Sequence, residues 1–141
     1  MKKIIIVLIL MTYFCANPSC ALTFEYNGLW FKATSETTAK VVACKNGHYQ
    51  GDIVIPDTVK YDDLTMAVTK IAEYAFSGDS LVTSIFIPKT VTNVGYFSFE
   101  DCFALQDINV DPENKYLKSI DGALYSYWLS RLFAVPGGRE G

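Results

Sequence analysis

Apolar residues in the middle of the chain fall on the same positions twice. The stretches VTKIAEYAFSGDSLVTSIFIP, from Val68 to Pro88, and VTNVGYFSFEDCFALQDINVD, from Val91 to Asp111, align end to end when Val91 is laid on Val68. That alignment also pairs Ile71 with Val94, Phe76 with Phe99, Val82 with Leu105, Ile85 with Ile108 and Ile87 with Val110. Large apolar side chains recur while the polar positions between them drift. The Ile-x-Ile alternation in each unit predicts one short strand. The segments around residues 73–76 and 96–99 predict a brief α or 3₁₀ turn, too short to hold without packing. A period in the low twenties with one strand per unit marks a solenoid whose coils bury their apolar faces only against neighbouring coils.

The flanks obey other periods. Ile53-Val54-Ile55-Pro56 reads as an earlier solenoid strand, equivalent to Ile85-Phe86-Ile87-Pro88 but set further ahead of it than one repeat allows. The surplus is placed as an insertion after Val59, a small hairpin with Asp62-Asp63 at its tip. Thr23 to Ala33 has two aromatic-rich runs around Asn27-Gly28, the pair that supplies two positive-φ residues to a tight hairpin. A second hairpin is expected from Ala39 to Cys44, with Lys45-Asn46-Gly47 turning the chain back into His48-Tyr49. These strands lack the repeat and suit an N-terminal cap, which an end coil needs to keep its apolar face out of water. After the turn residues Asp111-Pro112-Glu113-Asn114, a strand beginning at Ile120 is expected to pair with Arg131 to Val135, and Pro136-Gly137-Gly138 to stop it. The expected organisation is a signal at 1–21, an N-terminal β cap at 22–52, a solenoid at 53–111 and a C-terminal β-hairpin element at 112–141.

The pattern Val-Thr-x-Ile-x-x-x-Ala-Phe-x-x-Cys-x-x-Leu-x-x-Ile-x-Ile-Pro resembles the BspA-type leucine-rich repeat of bacterial surface proteins. The first copy contributes Ala75, Phe76, Ile85, Ile87 and Pro88, and the second Phe99, Cys102, Leu105 and Ile108. It departs from the pattern at Asp79, which stands for Cys, at Ser98, which stands for Ala, and at Asp111, which stands for Pro. The resemblance implies a β-rich α/β fold, a right-handed leucine-rich-repeat solenoid with short strands and brief helical turns between β-hairpin caps. It also implies a secreted or cell-surface protein that adheres to proteins or cells, a host matrix protein among the candidates. In that family a two-strand element of the C-terminal kind interrupts the repeats and more coils follow. The chain is therefore either capped by this hairpin or a truncated member, and a structural repeat segment without its own ligand is the alternative to a binding module.

Composition adds compartment and charge. Met1 to Ala21 has the basic start, apolar core and small-residue end of an export signal, and its apolar run is too short to span a bilayer. Cys20 and Cys15 fit the surroundings of a lipoprotein cysteine poorly, and membrane association is expected only if the chain is lipid-anchored. Without those residues 10 Lys and Arg face 15 Asp and Glu, and no basic cluster is visible in the sequence. That excludes an electrostatic footprint for nucleic acid. Cys44 and Cys102 remain; export permits a disulfide between them, whereas Cys102 at the repeat's own cysteine position reads as a small buried apolar residue.

Strand alternation supplies the candidate site. If Ile53/Ile55, Ile85/Ile87 and Ile108/Val110 point inward, then Val54, Phe86 and Asn109 point outward in one row, with Asp52, Ser84 and Asp107 in a second. Phe86 is either an aromatic anchor for a protein ligand or a cover on the sheet surface. Tyr74 and Phe97 share a variable position and are expected to stack between coils. Trp30 and Trp128 are expected to close the two ends of the core. His48, the single histidine, is expected to be solvated, and it lacks the partners of a zinc site or a Ser-His-Asp arrangement. The acidic residues read as turn and surface groups, with no cofactor or metal implied, and the chain as non-enzymatic.

Overall fold

The structure, a computed structural model, describes residues 22–139. The expected export signal and the last two residues lie outside the described residues. Asn27 and Gly28 both have positive φ, at 50° and 81°, and turn β1 (Thr23–Tyr26) into β2 (Leu29–Ala33) as their sequence demands. Strand β2 pairs antiparallel with β3 (Thr38–Val42). From there the chain runs through β4 (Gln50–Val54), β5 (Thr58–Tyr61), β6 (Leu64–Ile71), β7 (Leu81–Ile87), β8 (Asn93–Val94) and β9 (Asp107–Val110). Then follow β10 (Leu117–Ile120), β11 (Ala123–Ser126) and β12 (Leu132–Ala134).

Two parallel ladders form the body. One is β4-β7-β9, in which Ile53 pairs with Ile85 and Ile85 with Ile108, the same matches that the sequence alignment makes. The other joins β3 to β6 and β6 to β8, with Val41 opposite Ile71 and Ile71 opposite Val94. The chain passes alternately through the two, so successive coils lie on one another. The turns between ladders also bond coil to coil: Tyr74, Phe76 and Gly78 donate their N–H groups to Tyr96, Ser98 and Glu100 carbonyls at 3.2, 2.8 and 2.9 Å. Inside, Ile53, Ile55, Val82, Ile85, Ile87, Leu105 and Ile108 are buried from one side and Val41, Val68, Ile71, Val91 and Val94 from the other.

Four expectations are corrected. The hairpin expected from Ala39 to Tyr49 does not form, because residues 43–49 carry the chain from one ladder to the other and β4 pairs with β7. These residues make a first coil, and its Tyr49 is buried with its ring 5.2 Å from Phe76, which stacks on Phe99 at 5.7 Å and 7°. The brief helical turns are absent as well, and among the described residues there is no helix. Tyr74 and Phe97 stand at φ 57° and 55°, and at the far end of each turn Gly78 and Asp101 stand at 77° and 57°. Left-handed residues at both ends of the segment break a right-handed helical turn. The C-terminal element has three strands, since Asp121-Gly122 is a tight turn joining β10 to β11 instead of the interior of one strand. Trp128 does not close the core; it is 83% exposed.

The insertion is the expected hairpin: β5 and β6 pair antiparallel with Tyr61 opposite Leu64, and Asp62 takes φ 52° at the tip. Its Tyr61 ring lies 5.0 Å from Phe24 of β1, which brings the far edges of the six-stranded sheet together. Two glycines are required by contact alone. A side chain at Gly95 would run into the backbone of Ala72 and Glu73, one coil away, and one at Gly138 would meet the backbone of Phe103 and Ala104.

Truncation tests the stack. Phe76→Ala empties a fully buried site between two rings and is expected to lower unfolding free energy by about 3–5 kcal/mol, measured by urea titration. Phe97→Ala, at an exposed ring, is expected to cost less than about 1 kcal/mol.

Candidate functional site

The outward rows exist as the alternation requires. Val54 pairs with Phe86 and Phe86 with Asn109; beside them Asp52 pairs with Ser84 and Ser84 with Asp107. Val54 is 67% exposed, Asn109 is exposed and Phe86 is half-buried. Neighbouring strands in a ladder are about 4.8 Å apart, so one row spans the ladder as a continuous strip.

The polar row is less free than the alternation suggests. The pairing slips by one position between Gly51 and Asp52, which adds Thr83 as a bulge. The bulge lets both Thr83 and Ser84 hydroxyls donate to one Asp52 carboxylate oxygen at 2.7 Å, and these bonds, Ser84 first, hold the Asp52 carboxyl below the usual carboxylate range. At the other end Asp107 accepts from the Arg139 guanidinium at 3.3 Å. Asp52, Ser84 and Asp107 therefore already have partners, and the row Val54, Phe86 and Asn109 is the open one.

The turn side carries a second exposed line. Because Tyr74 and Phe97 share the left-handed conformation, their side chains leave the coil in the same direction, and the rings stack at 5.5 Å and 18°. Both are more than half exposed. The expected stacking is present, and its cause is the backbone.

In the same turns the structure joins two residues that lie far apart in the chain. His48 is not simply solvated: its exposed ring bonds through Nδ1 to the buried Asp79 carboxylate at 2.9 Å. The same Asp79 oxygen accepts from the Tyr49 N–H at 3.2 Å. Burial raises the Asp79 pKa, against the opposing pull of the His48 and Tyr49 bonds. One coil on, Cys102 occupies the position aligned with Asp79, and its thiol donates to the Phe76 carbonyl at 3.0 Å. Burial pushes that thiol up to about 11. Cys44 and Cys102 are both free thiols.

The family model of the BspA type leucine rich repeat region matches residues 52–130, in six copies. The fold is similar to a leucine rich cell surface protein of Faecalibacterium prausnitzii, at 24% identity and TM-score 0.57 over 67% of this chain and 24% of that one. It is similar to a leucine-rich repeat protein of Bacteroides ovatus, at 33% identity and TM-score 0.58 over 65% of this chain and 24% of that one. A leucine-rich repeat protein of Bacteroides capillosus matches at 22% identity and TM-score 0.54 over 63% of this chain and 65% of that one. The chain thus spans about a quarter of the length of the first two. Among curated protein sequences there is no match.

The charge of Asp79 has a pH signature. Its folded pKa lies above the unfolded value, so the native state binds the proton more tightly and stability falls as pH rises through the raised pKa. Asp79→Asn keeps an acceptor for the Tyr49 N–H and removes that fall. The variant is expected to gain on the wild type as pH rises from about 4 toward 7, read from unfolding midpoints at each pH.

Proposed function

The chain belongs to the BspA-type leucine-rich repeat family, and from that premise we propose that it is an exported, non-enzymatic binding module that adheres to a protein on a cell surface or in a host matrix. The observation that carries the reading is the open row Val54, Phe86 and Asn109. It lies in register across three strands whose alternate residues are buried, so it is both rigid and free to make contacts. Rigid rows lose little entropy on binding, and a partly covered aromatic beside an exposed aliphatic residue is the composition of a protein-contact core. The second row frames it with Asp52, Ser84 and Asp107, which give polar contacts at the rim. Membership of a family of bacterial surface proteins agrees with display outside the cell, and so does the export-type sequence of residues 1–21.

The test is binding of the exported chain to an array of extracellular-matrix and epithelial surface proteins. Phe86→Ala and Val54→Asp are each expected to weaken capture at least tenfold, about 1.4 kcal/mol, while the melting temperature of Val54→Asp stays at the wild-type value. Capture unchanged in both variants would overturn the assignment to this face.

A further inference from the structure

The second ladder carries a different surface. Outside it lies a cleft of about 570 Å³, lined by Lys40, Lys70, Glu73, Asn93, Tyr96 and Arg131 together with residues 71–72 and 94–95. Lys40 of β3 pairs with Lys70 of β6, and Lys70 with Asn93 of β8, so two ammonium groups and an amide stand in one row on adjacent strands. Arg131, in the loop between β11 and β12, lines the same cleft. Its guanidinium lies 5.0 Å from the Tyr96 ring centre and 4.8 Å from that of Phe133. These rings hold the cation by its faces and leave its N–H edge for an acceptor.

Among the described residues, no carboxylate lies within ion-pair distance of Lys40, Lys70 or Arg131. Like charges directly opposite on neighbouring strands repel, and the one carboxylate in the cleft lining, Glu73, pairs directly with none of the three cations. An acidic chain that gathers three such cations from distant parts of its sequence has the electrostatics of an anion site. The wall also contains the Glu73 carboxylate and the Asn93 amide, which suit hydroxyl groups and would oppose a ligand made only of carboxylates. A volume of this size falls in the range of small-ligand clefts.

We propose that this cleft binds an acidic saccharide, a sugar unit bearing a carboxylate or sulfate. Lys40, Lys70 and Arg131 hold the oxyanion, Glu73 and Asn93 accept from and donate to the hydroxyls, and the exposed Tyr96 ring flanks the sugar. The site is separate from the Val54, Phe86 and Asn109 row and stands or falls independently of it.

The experiment is calorimetric titration of the exported chain with a sulfated uronate disaccharide, its neutral desulfated and carboxyl-reduced counterpart, sodium sulfate and an Asp/Glu-rich peptide. Expected is binding of the charged disaccharide that weakens at least tenfold in Lys70→Gln and in Arg131→Gln and weakens with added salt. Lys60→Gln, on the β5 strand away from the cleft, is expected to bind as wild type. Lys60, Lys70 and Arg131 are exposed and Lys40 is half-buried, and circular dichroism checks that the variants fold. The proposal is overturned by equal binding of the neutral sugar, by sulfate or the acidic peptide binding as tightly as the disaccharide, or by disaccharide binding that survives the Lys40→Gln/Lys70→Gln/Arg131→Gln triple variant.

Discussion

Every coil in this chain depends on its neighbour repeating its own path. The repeat length that the two aligned units share matters because it brings the same backbone atom to the same place one level up, so hydrogen bonds form on both ladders and through the turns between them. No coil can satisfy these groups alone. The rings of Tyr49, Phe76 and Phe99 stand in a column at 5.2 and 5.7 Å, which sets the packing of three coils from the inside while the backbone bonds set it from the outside. Gly95 shows how tight the level spacing is, since one methyl group there would meet the backbone beneath.

The three departures from the repeat pattern become intelligible as level-to-level bonds. Ser98, where the pattern has Ala, is buried and its hydroxyl reaches the Ala72 carbonyl of the coil below at 3.0 Å. Asp111, where the pattern has Pro, donates its N–H to the Ile87 carbonyl at 2.9 Å, a bond that Pro lacks the hydrogen to make. Asp79 takes the N–H of Tyr49 in the first coil, where the chain path differs and Cys would offer a poor acceptor. Each substitution thus satisfies a polar group that the adjacent coil presents. Asn114 does the same at the upper end: it is buried, donates to the Pro88 and Val91 carbonyls and accepts from the N–H groups of Tyr116 and Leu117.

What could be read in the sequence follows from this. The strands with large aliphatic residues at fixed spacing were legible in register, including the longer step across the insertion, because burial leaves those positions little choice. Asn27-Gly28 and the Asp62-Asp63 tip were legible because turn chemistry is local. The first coil was not, since Tyr49 stands further ahead of Phe76 than Phe76 does of Phe99, and Lys45-Asn46-Gly47 offers an equally good local turn. The left-handed turns were hidden too: Tyr74 and Phe97 are aromatic residues with no preference for positive φ, and only the bonds to the next coil hold them there. As for the site, strand alternation located the Val54, Phe86 and Asn109 row. It could not show that Asp52 and Asp107 are already engaged, because their partners arise from a bulge at Thr83 and from Arg139, far along the chain from Asp107.

The same construction explains why two surfaces of opposite character can coexist on so small a chain. Stability resides in inward residues and backbone bonds, so outward side chains are released from folding duty and their rows inherit only geometry. On one ladder the outward positions hold an aliphatic, an aromatic and an amide; on the other they hold Lys40, Lys70 and Asn93 at the same strand spacing. The Lys pair shows the limit of that freedom. Direct repulsion between neighbours on a sheet persists only where its cost in water is small or other charges offset it, and at this mouth Arg131, held against two rings, adds a third positive charge while Glu73 supplies a negative one.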